Sequence, residues 1–302
     1  MNYIFDSAAV SDLSEETGVN EPSSIHARLL DYALKDAQAN SVLAEPMPTA
    51  SERLIDGLLA LGVTHAFGLF GGGIAPFYEA MSRSRLKLVL CRHETGAAFS
   101  AIEASLASGK LTVVVSTTGP GVTNLLTGMV AARWEGAKVL FISGCTRAAQ
   151  RGRFAFQETA GGGSPLQALY MSGTLFNYAS TIEDPAELET ALSRIASGIN
   201  QPGGFVAHIG LPTNIQNSTI QRRMSTVISA LPSARCDAAT VTTVRELLVN
   251  DPFVIWAGFG ARDAAAELRA FAELTNAKVM CTPRAKGIFP ENHPQYLGVT
   301  GL

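Results

Sequence analysis

From Val63 to Ile209 the chain alternates short apolar runs with stretches of helical spacing, and this alternation limits the fold more than any other feature. Val63–Phe70, Leu86–Cys91, Leu111–Ser116, Lys138–Ser143 and Phe205–Ile209 read as strands. Between them lie a helix to about Ser82, a small-residue helix over Glu94–Ser108 with Ala98, Ile102 and Leu106 at i, i+4 spacing, a helix through Trp134, and one near Pro185–Ile199. Apolar strands separated by helices are covered on both faces, so the expected fold class is α/β, with a doubly wound parallel sheet. Ligands of such sheets bind beyond the carboxyl ends of the strands. Gly71–Gly73, His93–Glu94 and Thr117–Thr118 all fall at those ends.

The 302 residues suffice for about two domains. Residues 1–47 read as an N-terminal extension, with helical spacing only over Ile25–Ala39 and a linker at Glu45–Pro48, where each proline disfavours helix before it. Residues 48–216 form the first domain, opened by a helix that Ser51 is placed to cap. Residues 217–302 form a second, truncated domain. It holds a helix at Val241–Val249, strand Phe253–Trp256, a glycine loop at Gly258–Gly260, a helix at Ala261–Leu274 and strand Ala277–Cys281. One strand–helix–strand unit of about 65 residues is a partial Rossmann-like domain, small for a core of its own and expected to need a partner surface.

A formal net charge of −3 gives no electrostatic footprint for nucleic acid. No uncharged run of 18 apolar residues predicts a membrane span. The acidic start, with Asp6, Asp12, Glu15 and Glu16, does not read as a secretory leader, and a cytoplasmic protein is the default. Cys91, Cys145, Cys236 and Cys281 are widely spaced, which signals neither a zinc site nor a disulfide framework.

Three loops carry candidate chemistry. In Gly68–Gly73, three glycines after a strand either make a tight turn or let the backbone approach a flat ligand. In Cys91–Ala98, Glu94 is either a first-turn acid favoured by the helix dipole or a carboxylate among apolar side chains, able to share a proton with a ring nitrogen. In Ser116–Asn124, the polar side chains either cap a helix or face the same pocket as Glu94.

Taken in order and spacing, these loops resemble the acetolactate-synthase-like family of thiamine-diphosphate enzymes. The matching text is Ala66–Gly73, Arg92–His93–Glu94, Thr118–Asn124, Ala155–Thr159, Gln201–Gly204 and Lys286–Pro294, and the resemblance covers roughly residues 50–302. It implies that the first domain is the pyrimidine-binding domain. Glu94 matches the catalytic glutamate that hydrogen-bonds N1′ of the aminopyrimidine, favouring the imino tautomer that removes the thiazolium C2 proton. By the same resemblance Gly71 and Gly72 line the cofactor, Thr117 and Thr118 the reaction pocket, and Phe156 and Gln157 the substrate side, with Gln157 a second catalytic candidate. Asn124 matches a cofactor contact or a helix cap, and His93 a structural hydrogen bond.

The family binds the diphosphate through Mg²⁺ with a Gly-Asp-Gly motif and a later Asn, and this chain contains no Gly-Asp-Gly. No metal ligand is therefore expected in it. The resemblance then implies a split enzyme whose second subunit supplies the Mg²⁺ and diphosphate site, as a heterotetramer. Gly258–Gly260 and Thr282–Gly287 lie where flavin-containing relatives approach FAD. The loop Gly144–Ala149 has Ala148 and Ala149 where those relatives carry paired arginines, which counts against FAD and favours an ordinary strand–turn–helix loop. The expected function is a transferase subunit: a carboligase that decarboxylates a pyruvate-like 2-oxo acid and passes the acyl carbanion to an acceptor. The alternatives are a 2-oxo acid decarboxylase subunit and a regulatory remnant.

Overall fold

A computed structural model describes residues 47–158, 164–220 and 236–300. Thr49–Ser218 together with Met224–Leu302 form one compact unit. Of the other unit the described residues are 47–48 and 219–220, where the Ile220 amide donates to the Pro48 carbonyl at 2.9 Å. The helical spacing over Ile25–Ala39 lies outside the described residues.

The large unit opens with α1 (Ala50–Ala60). Its cap is Thr49, not Ser51: the Thr49 hydroxyl accepts from the Glu52 amide at 3.2 Å and the Glu52 carboxylate accepts from the Thr49 amide at 2.8 Å. Ser51 is buried inside the first turn, where its hydroxyl donates to the Gln216 carbonyl at 2.8 Å. Strands β1 (His65–Gly68), β2 (Lys87–Leu90), β3 (Thr112–Ser116), β4 (Lys138–Cys145), β5 (Tyr178–Thr181) and β6 (Phe205–Pro212) form one parallel sheet in the order β2-β1-β3-β4-β6-β5. Helices α2 (Ala75–Ser82), α3 (Glu94–Ser108), α4 (Pro120–Glu135), α5 (Glu187–Ile199) and the single turn α6 (Thr213–Gln216) complete the layers.

The central strands explain the continuous apolar runs. Every residue of β3 and β6 is buried, and so is every residue of β4 after Lys138. Edge strands β2 and β5 keep only partial burial. The main core lies between the sheet and α3 and α4, built from Ala97, Ala98, Ile102, Val114, Leu125 and Phe141. Both helices end on a left-handed glycine, Gly109 (φ 70°) and Gly136 (φ 69°), which closes each last turn without the clash a Cβ would bring.

Strand order fixes the crevice. From β1 the chain crosses to β2 on one side, then returns to place β3 on the other. The reversal between β1 and β3 is the topological switch point, where loops diverge and leave room for a ligand.

The C-terminal part of the unit contains α7 (Ala238–Asn250), capped by the Asp237 side chain, β7 (Val254–Ala257), α8 (Ala265–Thr275), β8 (Lys278–Cys281) and β9 (Tyr296–Val299). The strands are parallel in the order β7-β8-β9, around Ala257, Ala272, Val279, Cys281 and Phe289. Three strands replace the two read from sequence. Strand β9 is half-exposed and joins through a register shift at Val279/Met280, so it carries no clean apolar signal. All four cysteines are free thiols. No helix among the described residues is long and apolar enough to cross a membrane.

Candidate active site

The switch point brings the first and third candidate loops together, one after β1 and the other after β3. The glycine loop follows β1. The Gly73 amide donates to the Thr117 hydroxyl at 3.3 Å. A Cβ on Gly71 would fall 2.3 Å from the Thr117 Cβ, and one on Gly73 would fall 2.8 Å from the Thr118 Cγ2, so both positions require glycine for close approach. At Gly72 a Cβ would meet nothing within 4 Å. Gly72 is exposed, and its open side is where a flat ligand can approach the backbone.

Tyr78 anchors the start of this loop. Its hydroxyl donates to the Leu69 carbonyl at 2.5 Å, and its ring lies 4.5 Å from that of the exposed Phe70. Burial holds the Tyr78 phenol well above its ordinary range, with smaller contributions from the charges of Cys91 and Glu94.

Glu94 is the first residue of α3 and is half-buried. His93 precedes it as the helix cap, its Nδ1 accepting from the Thr95 amide at 3.2 Å, so the imidazole is committed to the helix start. The Glu94 Oε2 accepts from the Asn124 Nδ2 at 3.0 Å. Asn124 sits in the second turn of α4, whose cap position is Gly119 with Pro120 as first helical residue; Asn124 does not cap. The Thr95 hydroxyl donates to the Asn124 carbonyl at 2.6 Å and ties the same two helices again.

This pairing follows from the small-residue helices. A Cβ on Gly128 would lie 2.2 Å from the Cβ of Ala98, so α3 and α4 touch at that point with no side chain between them. Glu94 and Asn124 each lie four residues before that contact, about 6 Å back along their helices. Close approach at Ala98 and Gly128 therefore places the carboxylate and the amide within hydrogen-bonding distance. The alanine-rich text of α3 serves this geometry.

The third group comes from the loop after β4. Gln157 has φ 55° and Phe154 has φ 58°, both in the left-handed region that costs a non-glycine side chain roughly 1 kcal/mol or more. Gly119 (φ 61°) faces Gln157, and a Cβ there would fall 2.6 Å from the Gln157 Cβ. The Thr118 hydroxyl donates to the Gln157 Oε1 at 3.4 Å. Glu158 closes the loop by accepting from the Gly152 amide at 2.5 Å, and Arg151 pairs with Glu183 at 2.5 Å. Phe156 projects outward with 87% of its surface exposed.

Other sequence candidates lie elsewhere. The guanidinium groups of Arg262 and Arg284 both lie over the Phe259 ring, at 5.3 and 4.7 Å from its centre. Arg262 donates to the Leu106 carbonyl and Arg284 pairs with Glu135, so this loop rests on the far ends of α3 and α4. That is about 20 Å, one helix length, from Glu94. A cavity of 240 Å³ beside it is lined by Ser105, Lys138, Phe259 and Arg262 and is remote from the loops above. Among the described residues no group of three His, Cys, Asp or Glu is placed to hold a metal ion.

Gln216, which the sequence reading passed over, joins the site through its amide. It is fully buried and donates to the carbonyls of Gly73 at 2.8 Å and Leu211 at 2.9 Å.

Residues 48–163 match the family described as "Thiamine pyrophosphate enzyme, N-terminal TPP binding domain", and residues 243–302 match "Thiamine pyrophosphate enzyme, central domain". The chain is 34% identical over 264 residues to a probable acetolactate synthase large subunit of Methanocaldococcus jannaschii, which covers 83% of this chain and 43% of that protein. It is 30% identical over 249 residues to the acetolactate synthase isozyme 2 large subunit of Escherichia coli K12, covering 82% of this chain and 44% of the relative. A chloroplastic acetolactate synthase 2 of Nicotiana tabacum is 31% identical over 261 residues, covering 83% and 38%. The chain spans less than half the length of these curated relatives.

Proposed function

Because the chain belongs to the thiamine pyrophosphate enzymes, with segments of their N-terminal and central domains, we propose that it supplies the cofactor-activating half of a carboligase acting on a pyruvate-like 2-oxo acid. The carrying observation is the Glu94 carboxylate, half-buried and held by Asn124, just after β2, the strand paired with the one that leads into the glycine loop.

The residues present fit the pyrimidine end of thiamine diphosphate. Gly72 offers an open backbone face to a flat ring, and Glu94 offers an acid to its outer nitrogen. When bound, the cofactor supplies the carbanion chemistry of 2-oxo acid decarboxylation and acyl transfer. Glu94 holds a proton for the N1′ atom. Asn124 occupies Oε2, which leaves Oε1 to exchange it. A positioned acid of this kind contributes about 10²–10⁴ to a rate. Thr117, Thr118 and Asn124 fix the walls of the cofactor site, and Gln157, set beside Thr118, faces the substrate with Phe156.

A module bearing the Mg²⁺ and diphosphate site completes the enzyme, as a partner subunit or as further sequence. Exposed Phe70, Leu90 and Phe156 give that module an apolar rim to cover, and covering it removes water from around Glu94. Two of the relatives are named large subunits, which supports assembly with another polypeptide.

Product analysis with pyruvate, in the presence of that module, tests the reading. An acetolactate or acyloin product supports ligation. Free acetaldehyde as the sole product replaces it with a decarboxylase, and no turnover of pyruvate or any other 2-oxo acid leaves the regulatory remnant.

A further inference from the structure

The glycine loop poses a physical problem that its own residues do not solve. Three successive glycines lose more conformational freedom on ordering than any other residues, yet a backbone surface that receives a ring must be rigid before the ring arrives. The loop is held by the Ile74 amide on the Gly71 carbonyl at 3.1 Å, by the Tyr78 hydroxyl on the Leu69 carbonyl, and by the Thr117 hydroxyl, 44 residues on, which accepts from the Gly73 amide. The Gly73 carbonyl is held from 143 residues away, by the Gln216 side chain at 2.8 Å.

The surroundings make this contact specific. Gly73 O and Leu211 O are both acceptors, so the Gln216 amide nitrogen must face them. A Cβ on Gly144 would fall 2.2 Å from the Gly73 carbonyl oxygen, so β4 is stripped of its side chain where that carbonyl passes. The Gln216 carbonyl separately accepts from the Ser51 hydroxyl of α1 at 2.8 Å, a bond that does not involve the side-chain amide.

Resting on the functional reading above, we infer that Gln216 is a positioning residue: it holds the Gly73 peptide so that Gly72 presents its open side to the aminopyrimidine ring. It touches neither the reacting atoms nor Glu94, and acts through the loop.

The full chain, assembled with its diphosphate-binding module, allows a direct test. Gln216→Met keeps the length of the side chain and removes both donors; Gln216→Glu keeps its shape and replaces the donor by an acceptor. Ser51→Ala deletes the adjacent buried bond and leaves the Gln216 amide in place, so it reports the cost of disturbing α6 alone. Hydrogen–deuterium exchange at the Gly72 and Gly73 amides and calorimetric titration with Mg²⁺ and thiamine diphosphate are the readouts. Both Gln216 variants are expected to speed exchange in the loop and to raise the dissociation constant about tenfold, the scale of one lost hydrogen bond. Ser51→Ala is expected to lower the melting temperature comparably with neither change. Unaltered loop exchange in the Gln216 variants overturns the inference, as does an equal loss of affinity in Ser51→Ala. If the unmutated assembly binds no thiamine diphosphate while loop exchange responds as stated, the functional reading fails and only the anchoring of the loop stands.

Discussion

The Asn124 side-chain amide, in the second turn of α4, donates to the Glu94 carboxylate at the start of α3, at 3.0 Å. That bond orients the carboxylate, and under the proposed function it leaves Oε1 for the cofactor. Replacing Asn124 by Ala should lower turnover about tenfold and leave the melting temperature nearly unchanged, because the pair is only part-buried. Steady-state kinetics beside a thermal melt checks this, and a variant with full turnover would remove Asn124 from the account.

The Ala98–Gly128 contact sets the distance between those helices. In Gly128→Ala, two methyl carbons compete for one space, since the new Cβ would start 2.2 Å from that of Ala98. Overpacking of this kind costs about 1–3 kcal/mol. The variant is expected to be less stable in denaturant titration and also slower, since α3 and α4 must separate near the Glu94–Asn124 pair. Lost stability with intact turnover would show that the pair tolerates separation.

Gly72 makes the opposite prediction. A methyl group there meets no protein atom within 4 Å. Gly72→Ala should therefore melt at or slightly above the unmutated temperature and bind thiamine diphosphate more weakly. Unchanged affinity would move the ring away from this loop.

His208 gives the fold a pH dependence. It is fully buried on β6, its ring stacked 4.2 Å from Phe141, with Nδ1 at 2.7 Å from the Leu169 carbonyl and Nε2 at 2.8 Å from the Ser143 hydroxyl. A carbonyl only accepts, so Nδ1 carries the proton and Nε2 receives the serine hydrogen. Burial pushes the imidazole pKa down to about 4, against a weaker opposing effect of the Leu169 carbonyl. Between pH 4 and 6.5 the unfolded chain binds this proton and the folded one does not. Stability from this group is complete above pH 6.5 and falls as the pH drops towards 4, by up to about 3 kcal/mol. Urea titrations at pH 7.5 and 5 should show the decline, and His208→Gln should flatten it.

Much of this arrangement was legible in the sequence, for physical reasons that also mark where legibility ended. Strands β3, β4 and β6 stand out because central strands covered on both faces must be apolar throughout. Strands β5 and β9 do not, since each has half-exposed residues and only four positions. Glu94, Gly71, Gly72 and Thr117 sit at strand exits, where chain order alone predicts convergence. The partner of Asn124 was hidden because it depends on a glycine–alanine contact between helices. The Thr49 cap was mistaken for Ser51 because both residues are hydroxylic and two positions apart; only Thr49 has Glu52 three residues on. Gln216 had no signal at all, since its partner lies 143 residues away and is a backbone carbonyl.

The proton held at Glu94 is the claim on which the rest depends. Nuclear magnetic resonance can follow exchange of the thiazolium C2 hydrogen of bound thiamine diphosphate in heavy water, with the diphosphate-binding module present. Glu94→Gln keeps the shape and removes the acid. The account predicts that exchange slows by at least about 10² while the cofactor remains bound. Exchange at the unmutated rate would contradict it.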